Sequence, residues 1–195
     1  MEAMILRLNS AGQPLEWLDW KDAACLISRE VVSWSLGGIV KQVHGGRSRL
    51  TGLRSQLSLP AIIACHGKLP TSAARTAYQH QLQKGPPLTN GGLFARDNYQ
   101  CLYCGRHFPR FSLSRDHVHP VSRGGKDRWE NVVAACKRCN QRKSNQLLSD
   151  ISMDLLALPY RPNRAEYLAL INNKRIRGDQ MDFLRPQFSK NSRWL

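Results

Sequence analysis

The chain has 195 residues, 42% of them hydrophobic, and 29 Lys and Arg against 14 Asp and Glu, a formal net charge of +15. That apolar content excludes a disordered tail, and no apolar run approaches the ~18 residues of a membrane-spanning helix. The charge favours a polyanionic partner, nucleic acid first; no basic amphipathic anchor argues for a membrane, and Met1 to Arg7 lacks the features of a signal peptide, so a reducing cytoplasm is expected.

In chain order, Met4 to Leu8 reads as a strand, followed by a turn over Asn9 to Pro14. Asp19 is placed to cap a short helix over Trp20 to Ile27, whose apolar positions recur at helical spacing. Val31 to Trp34 and Gly38 to Val43 read as two further strands. Leu57 to Ala64 is another apolar segment in which Pro60 can start a helical turn. Cys25 and Cys65 stand alone among apolar neighbours and read as small buried hydrophobes, with a disulfide between them the weaker reading. Trp17, Trp20 and Trp34 read as core of this small mixed module, residues 1–70.

Residues 71–92 are polar, contain Pro86-Pro87 and Gly91-Gly92, and read as a linker with one short helix near Ala73 to Leu82. Residues 93–148 form the next unit, and 149–195 a C-terminal extension. In the extension, Leu155, Leu156 and Leu158 are expected to make apolar contacts, and a helix capped by Asn163 is expected over 163–174.

The second unit contains two C-x2-C knuckles, Cys101-Leu-Tyr-Cys104 and Cys136-Lys-Arg-Cys139. Four thiolates at this spacing can close one tetrahedral zinc site. With four protein ligands such a site has no open position, so this zinc is expected to be structural. Lys137 and Arg138 would temper its negative charge.

Between the knuckles lie Leu113 to Pro120 and Trp129 to Ala135, read as short strands joined by a loop containing Ser122-Arg-Gly-Gly-Lys126. Cys139 to Ser144 reads as a helix. From residue 96 to 143 there are eleven Lys and Arg and four Asp and Glu, so a salt-sensitive nucleic-acid contact is expected here. His44, His66, His80 and His107 have no partners at ligand spacing and read as structural or solvated.

The series Phe94 to Gly105, Asp116-His-Val, Ser122-Arg-Gly-Gly, Trp129-Glu-Asn and Ala135 to Lys143 resembles the zinc-knuckle branch of the HNH endonucleases. The resemblance implies an α+β chain: a ββα-metal domain stapled by a four-cysteine zinc, after a small mixed α/β module and before a C-terminal helix. It also implies hydrolysis of nucleic-acid phosphodiesters with a divalent cation. Carried over residue by residue, His117 is the first motif position, Asn131 the central one and Asn140 the third, where His is common and Asn an accepted variant. His119 is not a motif position.

The residue chemistry agrees with those roles. Asp116 and Asn140 offer oxygen ligands suited to Mg2+ or Mn2+. A neutral imidazole at His117 can take a proton from water, and Asn131 can hold the loop that positions it. Arg142 and Lys143 are expected at phosphates, with Arg138, Arg123 and His119 as further nucleic-acid contacts. Adjacent strand residues face opposite ways, so the strand must end or bend for Asp116 and His117 to serve one site. The expected partner is DNA, with RNA as an alternative, and a double-strand cut by a single site would favour a homodimer. Two other readings stay open: a non-catalytic zinc module that binds nucleic acid, and an adaptor acting through residues 1–70.

Overall fold

The computed structural model describes residues 4–66 and 85–194. The chain forms two compact units, Met1–Gln83 with Arg164–Gln187, and Lys84–Asn163 with Phe188–Leu195. The helix expected near Ala73 to Leu82, and most of the 71–92 linker, lie outside the described residues.

The first unit is a four-stranded sheet of order β2-β1-β4-β3, made of β1 (Ile5–Asn9), β2 (Pro14–Leu18), β3 (Val32–Arg47) and β4 (Arg54–Cys65). Its core holds Ile5, Leu8, Leu59, Ile62 and Ile63, all fully buried. Helix α1 (Trp20–Ser28) begins where expected, with Asp19 accepting from the Asp22 amide at 2.9 Å. Strand β2 went unread because Pro14 looked like the end of a turn; its Cα partner is Leu8, at an irregularity in the β1 ladder.

Several expectations are corrected here. The two strands expected at Val31 to Trp34 and Gly38 to Val43 are one continuous β3. Gly37, at φ +83°, carries the chain through a register shift between Leu36 and Ile39, and a side chain there would strike Asp179 and Ala61. Pro60 starts no helical turn and lies inside β4 opposite Ile39, at the same irregular stretch. Pairing with β1 begins only at Ile62, so the missing N–H costs no ladder bond on that side. Cys65 is buried, whereas Cys25 faces out of α1, and both are free thiols. Trp34, 37% exposed, is not core.

The second unit is built on a two-stranded antiparallel ribbon, β5 (Leu113–His117) and β6 (Val132–Cys136), with α2 (Asn90–Arg96) before it and α3 (Lys137–Lys143) directly after. Trp129–Asn131 is a 3-10 turn, so β6 starts later than expected. The side chains of Leu156 and Leu158 are exposed, against expectation, and the Leu156 amide instead donates to Leu102 O at 2.9 Å. Helices α4 (Arg164–Ile171) and α5 (Gly178–Leu184) belong to the first unit. None of the described helices is long and apolar enough to cross a membrane.

Candidate metal-dependent nuclease site

The four knuckle cysteines converge. The sulfurs of Cys101, Cys104, Cys136 and Cys139 all lie within 4.8 Å of one another. A tetrahedral zinc with Zn–S bonds of about 2.3 Å needs sulfurs about 3.8 Å apart, so this cage fits with a small contraction. Burial pushes the Cys101 and Cys139 thiols up. For Cys104, slight burial acts upward too, but hydrogen bonds from Arg106 outweigh it and bring the thiol down to about 7. One sulfur is thus readily a thiolate, and a bound cation would favour that form in the others. Cys136 ends β6 and caps α3, accepting from the Cys139 amide at 3.4 Å.

Four residues of strand, roughly 13 Å at 3.3 Å per residue, separate that end of β5 from His117. Along the strand, contacts alternate. Ser114 and Asp116 meet α3: Asn140 Nδ2 donates to Ser114 Oγ at 2.8 Å, and Lys143 Nζ lies 3.4 Å from Asp116. Arg115 and His117 meet Asp127: Arg115 Nη1 donates to its carboxylate at 2.8 Å, and His117 Nε2 is 2.9 Å from Oδ1. The strand stays regular through the pair Asp116↔Val133 and His117↔Val132, then ends. Asp116 and Asn140 therefore share the helix side of β5, while His117, its last residue, lies on the other side. The bend expected between Asp116 and His117 is absent, because the ladder to β6 stays regular through both.

Asp116 is buried, and its neighbours were not foreseen. The Tyr103 hydroxyl donates to Asp116 Oδ2, which ties the first cysteine knuckle to this carboxylate. Burial pushes the Asp116 carboxyl above the usual range, while Tyr103 and Lys143 pull it back only in part. Burial and the Asp116 bond both raise the Tyr103 phenol, which stays a donor. Lys143, expected at a phosphate, is fully buried, and its ammonium also donates to His117 O at 2.7 Å. That is a correction: its long side chain turns inward to hold the end of β5.

Asn131 clamps the loop after His117. Its Oδ1 accepts from the His119 amide at 2.9 Å, and its Nδ2 donates to His119 O and Lys126 O, both at 3.0 Å. The loop packs so closely that a side chain at Gly125 would overlap His119 O. The His119 side chain is exposed, as are Arg138 and Arg142. Arg123 pairs with Asp150 at 2.8 Å, both ends near 40% exposed.

Three features escaped the sequence reading. Asp127 follows Lys126 in the loop and signals itself only as a carboxylate near the motif. Slight burial pushes its carboxyl up, but Arg115 and His117 outweigh this and hold it below the usual range, hence ionised. Tyr103 stands between the two cysteines of the first knuckle, where the spacing assigns it no role. The third is a buried cluster at Arg96, whose guanidinium bonds Asp97 twice (2.8 and 3.0 Å), Trp129 O (2.9 Å), Tyr160 O (2.8 Å) and Val132 O (2.7 Å). All five of its donors are engaged, and this fixes the Trp129–Val132 corner that carries Asn131.

The HNH endonuclease family matches residues 101–156. A CRISPR-associated endonuclease Cas9 from Corynebacterium diphtheriae is 43% identical over 51 residues, 26% of this chain and 5% of that protein. Another, from Actinomyces naeslundii, is 44% identical over 46 residues, 23% of this chain and 4% of that protein. The chain thus spans only about a twentieth of the length of these relatives. The crystal structure of the Type II-C Cas9 enzyme from Actinomyces naeslundii aligns with TM-score 0.29 and 22% identity over 58% of this chain and 14% of that one. Residues 101–156 are an HNH endonuclease domain, related to the HNH region of Cas9, and that domain match points to a nuclease.

Proposed function

We propose that the chain is an endonuclease hydrolysing phosphodiester bonds of DNA, with His117 as general base and one divalent cation. The observation that carries this reading is the His117 Nε2–Asp127 contact of 2.9 Å at the open end of β5. An ionised carboxylate there favours the Nε2–H tautomer and leaves Nδ1 free to accept a proton. His117 then takes a proton from water, the water oxygen attacks phosphorus, and the bond to the 3′ oxygen breaks, its proton coming from solvent. Asp127 is a positioning residue in this scheme, and Asn131 holds the loop that follows the base.

Asp116 and Asn140 would hold Mg2+ or Mn2+, which would stabilise charge on the phosphate and the departing oxygen. Because His117 lies across β5 from them, the scissile phosphate would have to reach around the end of the strand. The donor set offers oxygen from two side chains on one side of β5, and such an ion would have to displace the Lys143 ammonium and the Tyr103 hydroxyl that now bind Asp116. Arg138, Arg142, Arg123 and the His119 side chain are the exposed candidates for phosphate contact. Residues 93–148 would form the nuclease domain, with the four-cysteine zinc as its frame.

Cleavage of supercoiled plasmid with Mg2+ or Mn2+ tests this. His117→Ala should slow cutting by about 10²–10⁴-fold, the range a general base supplies; an unchanged rate would refute the assignment. One feature favours a non-catalytic zinc module that binds nucleic acid: Lys143 already neutralises Asp116. The same assay separates the two, because that module leaves plasmid intact.

A further inference from the structure

The far half of the β3–β4 hairpin leaves the sheet. Its strands pair only with each other, Val43↔Leu57, His44↔Gln56 and Arg47↔Arg54, and every residue from 44 to 56 is exposed. The turn is nonetheless closed. The Ser48 amide donates to Leu53 O at 2.8 Å, the Gly52 amide to Ser48 O at 2.9 Å, and Ser48 Oγ accepts from the Leu50 and Thr51 amides at 3.3 and 3.2 Å. A bare two-stranded ribbon is marginal in water, and long exposed edges are ordinarily blunted. This one is rooted on a buried sheet.

Its chemistry is one-sided. No Asp or Glu occurs between Glu30 and Asp97. Arg47 and Arg54 stand directly opposite each other in register, with Arg49 in the turn between them. Like charges in facing positions destabilise a ribbon, and an anion bridging them reverses the sign. Gly45 and Gly46 fill the irregular stretch just before Arg47. Ser55 occupies the space beside Gly45, whereas nothing lies near Gly46, where a second backbone can approach. At the tip Leu50 is 97% and Leu53 72% exposed.

We propose that this hairpin is a DNA-binding arm that enters the major groove of duplex DNA. Arg47, Arg49 and Arg54 contact phosphates, and Leu50 and Leu53 touch base edges. The major groove of B-form DNA, about 12 Å wide, admits a two-stranded ribbon, whereas that of A-form RNA is too narrow. The choice of DNA rests on the nuclease reading above; the need for a polyanion rests on the arm alone. A membrane is the weaker partner, because the flanks of the ribbon (Gln42, His44, Ser55, Gln56) are polar and only two leucines cap it.

The test uses the full chain in a His117→Ala background, with fluorescence anisotropy on duplex DNA and on duplex RNA of equal length over a salt series. Replacing Arg47, Arg49 and Arg54 together with Gln should flatten the log–log salt slope on DNA by about 2.7, at about 0.9 per phosphate, and weaken binding by about 10²-fold at about 0.1 M salt. The matching Arg→Lys triple should keep the slope, which shows that charge and not folding is at stake. RNA binding should not respond to either set. An unchanged DNA slope in the Gln triple overturns the proposal, as does an equal loss on RNA. So does co-sedimentation with phosphatidylserine vesicles that Leu50→Ser/Leu53→Ser abolishes while DNA binding persists. Plasmid cutting by the unmodified chain is scored separately. Cutting with an unresponsive slope refutes the arm alone, and a responsive slope without cutting refutes the nuclease alone.

Discussion

The two units solve the same problem with different interactions. The sheet unit is held by apolar burial: Ile5, Leu6, Leu8, Leu59, Ile62 and Ile63 have no solvent exposure. The HNH unit has a two-stranded ribbon and a seven-residue helix at its centre, too little to close a core of that kind. Its largest fully buried side chains are Arg96 and Lys143. Directed bonds hold it instead: four converging thiols, a saturated guanidinium, a buried ammonium and the Asn131 clamp. Apolar packing tolerates small displacements, whereas directed bonds fix positions and fail abruptly when one partner goes. A unit that must keep one imidazole aimed gains from the second strategy.

The sharpest break is at the thiols. Structural zinc supplies about 10–16 kcal/mol of apparent binding free energy in small peptides, so Cys136→Ser or zinc removal should unfold the HNH unit. Hydrogen exchange should then reveal loss of protection over residues 113–143 while β1 and β4 stay protected. Uniform loss across both units would mean that they fold as one. Next comes Arg96→Met, which leaves Asp97 buried with its main partner gone and should cost about 3–5 kcal/mol. The counterpart in the sheet, Leu59→Ala, should cost about 2–5 kcal/mol. Denaturant melts should differ in kind, the first lowering only the HNH transition and the second only that of the sheet.

A smaller effect falls on chemistry alone. Asp127→Asn should leave the melts unchanged and lower kcat by about 10²-fold, the scale of misplacing a catalytic group by about an ångström. An unaltered kcat would reduce Asp127 to surface decoration. The smallest lies in the sheet unit at Asp179. Partial burial pushes its carboxyl up, but the Gly38 amide (2.9 Å), Arg177 (3.3 Å) and the Gln180 amide (3.0 Å) hold it below the usual range. Its folded pKa lies below the unfolded one, so its stabilisation is present above about pH 4 and is lost as pH falls through the folded value. Asp179→Asn should cost about 0.5 kcal/mol at neutral pH, and the difference should vanish in acid.

What could be read from residue order was what local spacing controls. Two C-x2-C turns, the Asp19 cap and the α3 helix each depend on neighbours within a few positions. The turns and the cap are where the spacing put them, and α3 starts two residues earlier than expected, at Lys137. So is the α+β character, since strand and helix periods are local patterns. Other features depend on partners distant in the chain. Pro60 sits in a strand because β1 pairs only from Ile62 onward, and Lys143 turns inward because β5 presents Asp116 and His117 O to it. Tyr103 and Asp127 likewise gained roles only when the fold brought them to Asp116 and His117. A surface lysine and a buried one read alike in a sequence. Burial and hydrogen bonding are sums over atoms far apart along the chain, so only the tertiary structure could decide them.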